Sequence, residues 1–135
     1  GVSQAGTQTA AWYSGGVSPS PPRINITSEF DGSAWTGGGT YPLSISMGGA
    51  ATLTAGLGFG GYQPATPEMF KPTTCEYDGT SWATQPNLAT ARGNFGGDGA
   101  SSNGLFAGSS YPGVTSTEEF STETTAINVK TLTQS

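Results

Sequence analysis

The 135-residue sequence has no histidine and a single cysteine, Cys75. Without histidine, a Ser-His-Asp triad, a Cys-His pair and any histidine-based metal site are excluded. A lone cysteine also excludes an internal disulfide framework and a multi-cysteine metal site, so we predict that Cys75 is a small buried apolar residue. No catalytic residue, no metal and no cofactor are expected.

Charged residues are also scarce, at 10% of the chain, and the net charge is −5. The basic residues are only Arg23, Lys71, Arg92 and Lys130. Because so few cations cannot neutralise a phosphate backbone, nucleic acid is not an expected partner. No apolar run approaches the roughly eighteen residues of a membrane-spanning helix, and no basic-then-apolar leader opens the sequence. We therefore expect neither membrane insertion nor a secretory signal.

Small residues dominate what is present: glycine, serine and threonine make up more than 40% of the chain. Such a composition is poor in helix formers and predicts an all-β protein of short strands joined by turns, in a single domain. A low-complexity disordered chain is the alternative, since apolar residues are only 33%. Regularly spaced tryptophan, tyrosine and phenylalanine favour the folded interpretation.

One phrase occurs twice. Residues 76–82 read Glu-Tyr-Asp-Gly-Thr-Ser-Trp, and residues 29–35 repeat the pattern as Glu-Phe-Asp-Gly-Ser-Ala-Trp, 47 positions upstream. Asp-Gly predicts a two-residue hairpin turn with positive φ angles, and the flanking aromatic residues are expected to pair across the two strands. The chain is therefore predicted to repeat one structural unit. The residues assigned to its structural framework are Phe30, Asp31, Gly32, Trp35, Gly60, Gly61, Tyr77, Asp78, Gly79, Trp82 and Arg92.

A strand that ends in paired glycines precedes each of these phrases. Residues 51–61 alternate apolar with small residues, and residues 6–16 and 103–108 are their counterparts. Small residues on one face are expected to let a neighbouring sheet approach closely. The predicted units span 1–48, 49–91 and 92–135, and the last one lacks the Asp-Gly turn, as expected of a unit that caps an array.

The order of these signals resembles the kelch motif, the four-stranded blade of a β-propeller. Gly60-Gly61, Tyr77, Trp82 and Arg92 carry the resemblance best, whereas Ser44 stands at the position that matches Arg92 in the first unit. The phrases Gly-Thr-Gln-Thr-Ala and Leu-Ala-Thr-Ala-Arg-Gly are similar to kelch-like repeats in virion proteins of marine bacteriophages. Such repeats are usually found near the C-terminus of tail-fibre-like proteins. Because a propeller closes with about six or seven blades, the resemblance implies either that subunits combine to complete a ring or a shared β-structure, or that the chain is a piece of a longer protein, and we favour the first.

Carboxylate pairs are the remaining route to acid–base chemistry. Glu118 and Glu119 are adjacent on a predicted strand, so their side chains point to opposite faces and cannot share one reaction centre. Glu29 and Glu76 occupy equivalent positions of two units, which is typical of a structural role. Arg92 is expected to bond carbonyls or a carboxylate of a neighbouring unit. We therefore predict that the protein is not an enzyme.

Loop aromatics beside neutral hydroxyl and amide groups are typical of sugar recognition, because their rings stack on pyranose faces. Tyr62 and Tyr111 are the candidate ligand-binding residues, with Trp12 and Tyr13 next. Their alternative role is the packing of a loop against its own unit.

These observations predict a non-enzymatic structural protein at the surface of a phage virion, a tail-fibre or appendage component that is a candidate for host-glycan recognition. Its expected partners are other copies of itself, other virion proteins and host surface polysaccharide. The alternatives are a capsid decoration or knob protein, and a cell-surface filament or adhesion protein.

Overall fold

The computed structural model describes residues 3–19, 23–43, 46–63, 69–93, 96–110, 113–121 and 130–132. These residues form three four-stranded antiparallel sheets, which confirms the predicted all-β class. Within the described ranges there is no helix, and so none long and apolar enough to cross a membrane.

Each sheet takes four consecutive strands of the chain. The first sheet contains β1 (Ser3–Thr7), β2 (Ala10–Ser14), β3 (Thr27–Phe30) and β4 (Trp35–Gly37). The second contains β5 (Ser46–Thr52), β6 (Ala55–Tyr62), β7 (Thr74–Tyr77) and β8 (Trp82–Gln85). The third contains β9 (Gly96–Ala100), β10 (Asn103–Ser110), β11 (Gly113–Ser121) and β12 (Lys130–Leu132).

Every strand pairs with its neighbour in the sequence, so each sheet is an up-and-down meander. The division into three sheets follows the predicted repeat, although β5 begins at Ser46 and crosses the predicted boundary between residues 48 and 49. At the C-terminal end only Lys130–Leu132 of the predicted last strand is described, and residues 122–129 lie outside the described residues.

The Asp-Gly turns differ from the prediction. Tyr77 pairs with Trp82 across β7 and β8, as expected, but four residues lie between them rather than two. Gly79 has a φ of 89°, and Asp78 does not share this left-handed conformation. Instead, Asp78 Oδ1 accepts hydrogen bonds from the backbone N–H groups of Thr80 and Ser81, at 2.8 and 2.7 Å. The aspartate therefore closes a wider loop with its side chain, as short polar residues commonly do in turns.

The first-sheet turn is built in the same way. Gly32 has a φ of 99°, and Asp31 Oδ1 accepts hydrogen bonds from the N–H groups of Ser33 and Ala34, at 2.8 and 2.9 Å. Phe30 pairs with Trp35 across β3 and β4. The two copies of the repeated phrase thus adopt one local structure.

The sheets pack face to face and come closest at their first strands, β1 beside β5 and β5 beside β9. Successive side chains of a strand point to opposite faces, so each sheet presents two distinct faces. The middle sheet buries both: Cys75 and Tyr77 on one and Leu57 and Phe59 on the other are fully buried. The burial of Cys75 confirms the role expected for the only cysteine.

Two apolar clusters occupy the two interfaces. Between the second and third sheets lie Ala50, Leu57, Phe59, Leu88, Phe106 and Phe120. The rings of Phe59 and Phe106 meet with their centroids 3.8 Å apart. Between the first and second sheets lie Trp12, Tyr41 and Cys75, with Trp82 packed against them.

Glycine makes this close approach possible at Gly56 and Gly104. A Cβ atom added at Gly56 would lie 2.7 Å from Nε1 of Trp12, and one added at Gly104 would lie 2.8 Å from Cδ2 of Leu57. Neither position has a left-handed φ. The glycines are therefore required for space, which confirms the expectation that small residues let neighbouring sheets approach.

We predict that Gly56→Ala destabilises the protein by about 1–3 kcal/mol, because its methyl group overpacks the interface against the Trp12 ring. Gly113→Ala is the matched control, since nothing lies within 4 Å of a Cβ added there. Urea unfolding of both variants at one protein concentration measures the difference. Equal stability of the two variants would contradict the prediction.

Candidate functional site

The outer face of the first sheet carries a cluster of aromatic side chains, Tyr13, Phe30 and the exposed Trp35. Because β2 alternates, Tyr13 points away from the second sheet while Trp12 points toward it. The ring of Trp35 lies 5.2 Å from that of Tyr13 and 5.2 Å from that of Phe30, measured between centroids. Trp35, one of the three tryptophans of the chain, has a side chain that is 54% exposed. We call this surface the aromatic face.

A groove of about 590 Å³ opens beside these rings. Its lining residues are Gln4, Ala5, Gly6, Ala11, Trp12, Tyr13 and Trp35. The lining contains no carboxylate, amine or guanidinium, so it offers no group for acid–base catalysis near neutral pH. It suits an apolar or neutral hydroxylated occupant instead.

Trp12 itself does not fit its predicted role. The side chain is fully buried, and its indole N–H donates a 3.0 Å hydrogen bond to the carbonyl of Thr52 in the second sheet. Its ring packs edge-on against Trp82, with centroids 5.2 Å apart. Because the side chain is fully buried and its N–H is bonded to the neighbouring sheet, Trp12 is unavailable for stacking on a ligand, and this candidate is corrected to a core residue.

The other candidate loop residues are Tyr62 and Tyr111. Tyr62 is partly buried, with the ring of Phe70 5.3 Å from its centroid and the guanidinium carbon of Arg23 5.3 Å above its ring. These contacts hold the ring in place and occupy part of its surface. Tyr111 lies outside the described residues. Of the three described candidates, Trp12 and Tyr13 line the groove of the aromatic face, and Tyr62 is not among its lining residues.

Arg92 and Glu118 form a fully buried ion pair between the second and third sheets. Glu118 also accepts hydrogen bonds from the backbone N–H groups of Ala89 and Thr90, at 2.7 and 3.2 Å. Arg92 donates to the carbonyl of Ser116 at 2.9 Å. Since β11 supplies Glu118 and Ser116, this cluster joins the linking segment 88–93 to the third sheet. Glu119 is exposed on the opposite face of β11, as its position beside Glu118 predicts.

A second polar contact crosses the interface between the first two sheets. The Tyr77 hydroxyl donates a hydrogen bond to Oε1 of Glu29 and accepts one from the N–H of Gly39 at 3.0 Å. Burial, together with the hydrogen bond to Glu29, raises the pKa of Tyr77 to about 12. Glu29 thus has a partner in the next sheet, which sequence reasoning did not identify because the two residues are 48 positions apart.

The aspartates of the repeated turns are exposed, and their hydrogen bonds are local. Backbone N–H groups of Ala34 and Ser33 hold the pKa of Asp31 below its usual value, and those of Ser81 and Thr80 do the same for Asp78. Among the described residues, no group of three or more histidine, cysteine, aspartate or glutamate side chains could hold a metal ion.

We predict that Tyr77 ionises near pH 12 and that Glu29→Gln lowers this pKa, since removal of the carboxylate charge eases formation of the phenolate. The raised pKa favours the folded state below about pH 10, and this contribution is lost as the pH rises to about 12. Absorbance titration at alkaline pH measures the effect, and Tyr77→Phe identifies the signal. A Tyr77 pKa that Glu29→Gln leaves unchanged would contradict it.

We also predict that Glu118→Ala destabilises the protein by about 3–5 kcal/mol, because it leaves the Arg92 guanidinium buried without its carboxylate. The double variant Arg92→Leu with Glu118→Ala should lose less than the single variants Arg92→Leu and Glu118→Ala combined, since no charge remains buried. Urea unfolding of the three variants tests this. Additive losses would show that the pair is not coupled.

The comparisons with known proteins bear on the fold. No protein family and no curated protein matches the chain. Among solved structures, the chain is similar to the one titled "Structure of YjhT", with a TM-score of 0.72 at 13% identity over 96% of this chain. The chain spans 45% of the length of YjhT. At this identity the similarity shows the fold alone.

Proposed function

We propose that the protein is a non-enzymatic structural component of a phage virion, exposed on a tail fibre or similar appendage, and that its sheets are blades of a kelch-like β-propeller. The observation that carries the proposal is the regular face-to-face packing of three equivalent sheets, with an uncovered face at each end of the stack. The phage setting rests on the sequence phrases that resemble virion repeats.

The contacts between sheets support the propeller part. Blades of a propeller converge at their innermost strands, and here the first strands of neighbouring sheets lie closest together. The similarity to YjhT, with a TM-score of 0.72, extends over 96% of this chain and 45% of that one. A match of all three sheets to part of a longer chain supports the proposal.

The use of charged residues supports a structural role. The fully buried ionisable pair, Arg92 with Glu118, is bonded to backbone groups of two different sheets. Glu29 bonds to Tyr77 across the other interface. These side chains hold sheets together, whereas the groove of the aromatic face is lined by neutral residues.

Location in the particle tests the proposal. Antibodies raised against the purified chain should label tail fibres or appendages of purified phage particles in immunogold electron microscopy. Labelling of the capsid shell would favour the capsid decoration or knob alternative. Labelling of the bacterial surface in uninfected cells would overturn the virion assignment and favour a filament or adhesion protein.

We also propose that loop aromatics recognise host surface polysaccharide, because Phe70 and Arg23 hold the partly exposed Tyr62 ring in a fixed position. Pre-positioned rings suit stacking on sugar faces.

We predict that Tyr62→Ala reduces binding to host-derived polysaccharide about tenfold, as expected for the loss of a stacking interaction of roughly 1–1.5 kcal/mol. Tyr62→Phe, which keeps the ring, should bind normally. Tyr111→Ala tests the second candidate in the same way. A glycan array with host-derived polysaccharides measures all three, and unchanged binding by Tyr62→Ala would remove Tyr62 from the recognition surface.

A further inference from the structure

We infer that the outer face of the third sheet binds the aromatic face of a second copy of this chain, so that two copies join head to tail. The inference rests on the proposed function as an assembling structural protein, and it names the two faces that meet. It follows from a pattern that the chain repeats at both of its internal interfaces.

In each sheet, a large apolar residue of the second strand lies directly opposite a glutamate of the third strand. These pairs are Trp12 with Glu29, Leu57 with Glu76, and Leu105 with Glu119. The adjacent row, on the other face, pairs a small residue with an aromatic one. These pairs are Ala11 with Phe30, Gly56 with Tyr77, and Gly104 with Phe120.

At each internal interface the large residue of one sheet contacts the small residue of the next. Trp12 lies over Gly56 and beside Tyr77, with ring centroids 6.5 Å apart. Leu57 lies over Gly104 and belongs to the same buried cluster as Phe120. The contact always runs in one direction, from the second strand of one sheet to the second strand of the following sheet.

The two end sheets each carry one partner of this contact without the other: the third sheet has the large residue, and the first sheet has the small one. Leu105 stands at the position of Trp12 and Leu57, yet it is 48% exposed, whereas both of its counterparts are fully buried.

Ala11 stands at the position of Gly56 and Gly104, and it lines the groove of the aromatic face. Beside it, Phe30 and Trp35 occupy the positions of Tyr77 and Trp82. The third sheet thus has the inserting side chain, and the first sheet has the surface that receives it.

The neighbouring positions are compatible in size. Ala107 follows Leu105 by two residues on the same face and is exposed, while Tyr13 follows Ala11 by two residues. When the proposed contact has the same register as the internal interfaces, Leu105 lies over Ala11 and Ala107 lies opposite Tyr13, so a small side chain meets a large one. Close packing of this kind is what a stable interface requires.

Two carboxylates flank the inserting side chain on the outer face of the third sheet: Asp98 and Glu119 both lie opposite Leu105 in the strand registers. Glu119 would face Phe30, which lacks the hydroxyl that Tyr77 donates to Glu29. In its own sheet Glu119 lies directly opposite Lys130 in the strand register. The groove that receives Leu105 contains no acidic side chain.

Two copies are the number that the fold comparison favours. The chain matches 45% of the length of YjhT, and twice that share is about nine-tenths of it. A head-to-tail contact closes into a ring when the rotation between copies allows it. Two copies would make two identical contacts, each between the third sheet of one copy and the first sheet of the other.

Light scattering on a sizing column measures the mass of the 135-residue chain. We expect a species of twice the 13.6 kDa chain mass. Leu105→Arg and Ala11→Glu should each reduce it to a single chain mass, because either change places a charge in both contacts of the ring. Val17→Arg is the matched control: Val17 is 57% exposed in the loop after β2 and is not among the residues that line the groove of the aromatic face, so this variant should keep the wild-type mass. Circular dichroism checks that all variants are folded.

Mixing the two interface variants provides a second test. In a head-to-tail pair of Leu105→Arg with Ala11→Glu, one contact is unaltered and the other brings opposite charges together. The mixture should therefore return to twice the chain mass, although neither variant does so alone. Restoration supports the inference, since a contact between two copies of the same face would leave a charge in its only interface.

Two results would overturn the inference. One is a wild-type chain with the mass of a single copy at all concentrations, including a single copy that binds polysaccharide through the aromatic face. The other is a multimer whose mass neither variant changes. Neither result decides the virion location, which immunogold labelling tests independently.

Discussion

The insertion of one large apolar side chain over one small residue is the contact on which the packing of the sheets depends. Trp12 lies over Gly56 and Leu57 lies over Gly104, so the two sheets can approach closely enough to bury both partners. Hydrogen bonds then fix the register of neighbouring sheets, through Trp12 to Thr52 and Tyr77 to Glu29. The high glycine content, unusual for a folded protein, follows from this requirement for space between the sheets.

The two interfaces use different chemistry around the same contact. The first relies on tryptophan and tyrosine rings whose polar atoms reach across to the next sheet, as in the 2.9 Å hydrogen bond from the Trp82 indole to Thr27. The second combines phenylalanine packing with the buried pair of Arg92 and Glu118. Since the shape of the contact is common to both, the surrounding residues are free to differ, which explains why the repeat is only partly visible in the sequence.

The β class and the equivalence of the repeated phrases were predictable from local patterns. Pairing of Tyr77 with Trp82 follows from their positions around the turn, whereas the width of that turn depends on the side chain of Asp78, which composition does not reveal. The role of Trp12 was wrongly predicted. The alternation of side chains along a strand shows that Trp12 and Tyr13 point to opposite faces of the sheet, but it does not show which face another sheet covers. Arg92 was expected to bond carbonyls or a carboxylate of a neighbouring unit, and it bonds Glu118 and the carbonyl of Ser116. That the carboxylate would be Glu118, and that Glu29 would bond Tyr77, could not be predicted, because these residues lie in segments brought together only by packing between sheets.

The meander has a consequence for the order in which the molecule acquires its structure. Each strand pairs only with its chain neighbours, so a sheet needs no residue from later in the sequence to form its own hydrogen bonds. The large residue on its second strand, in contrast, is buried only by the sheet that follows. During synthesis from the N-terminus, Trp12 therefore remains in water until Gly56 and Tyr77 have emerged and folded. Its fluorescence reports the arrival of the second sheet, not the formation of its own.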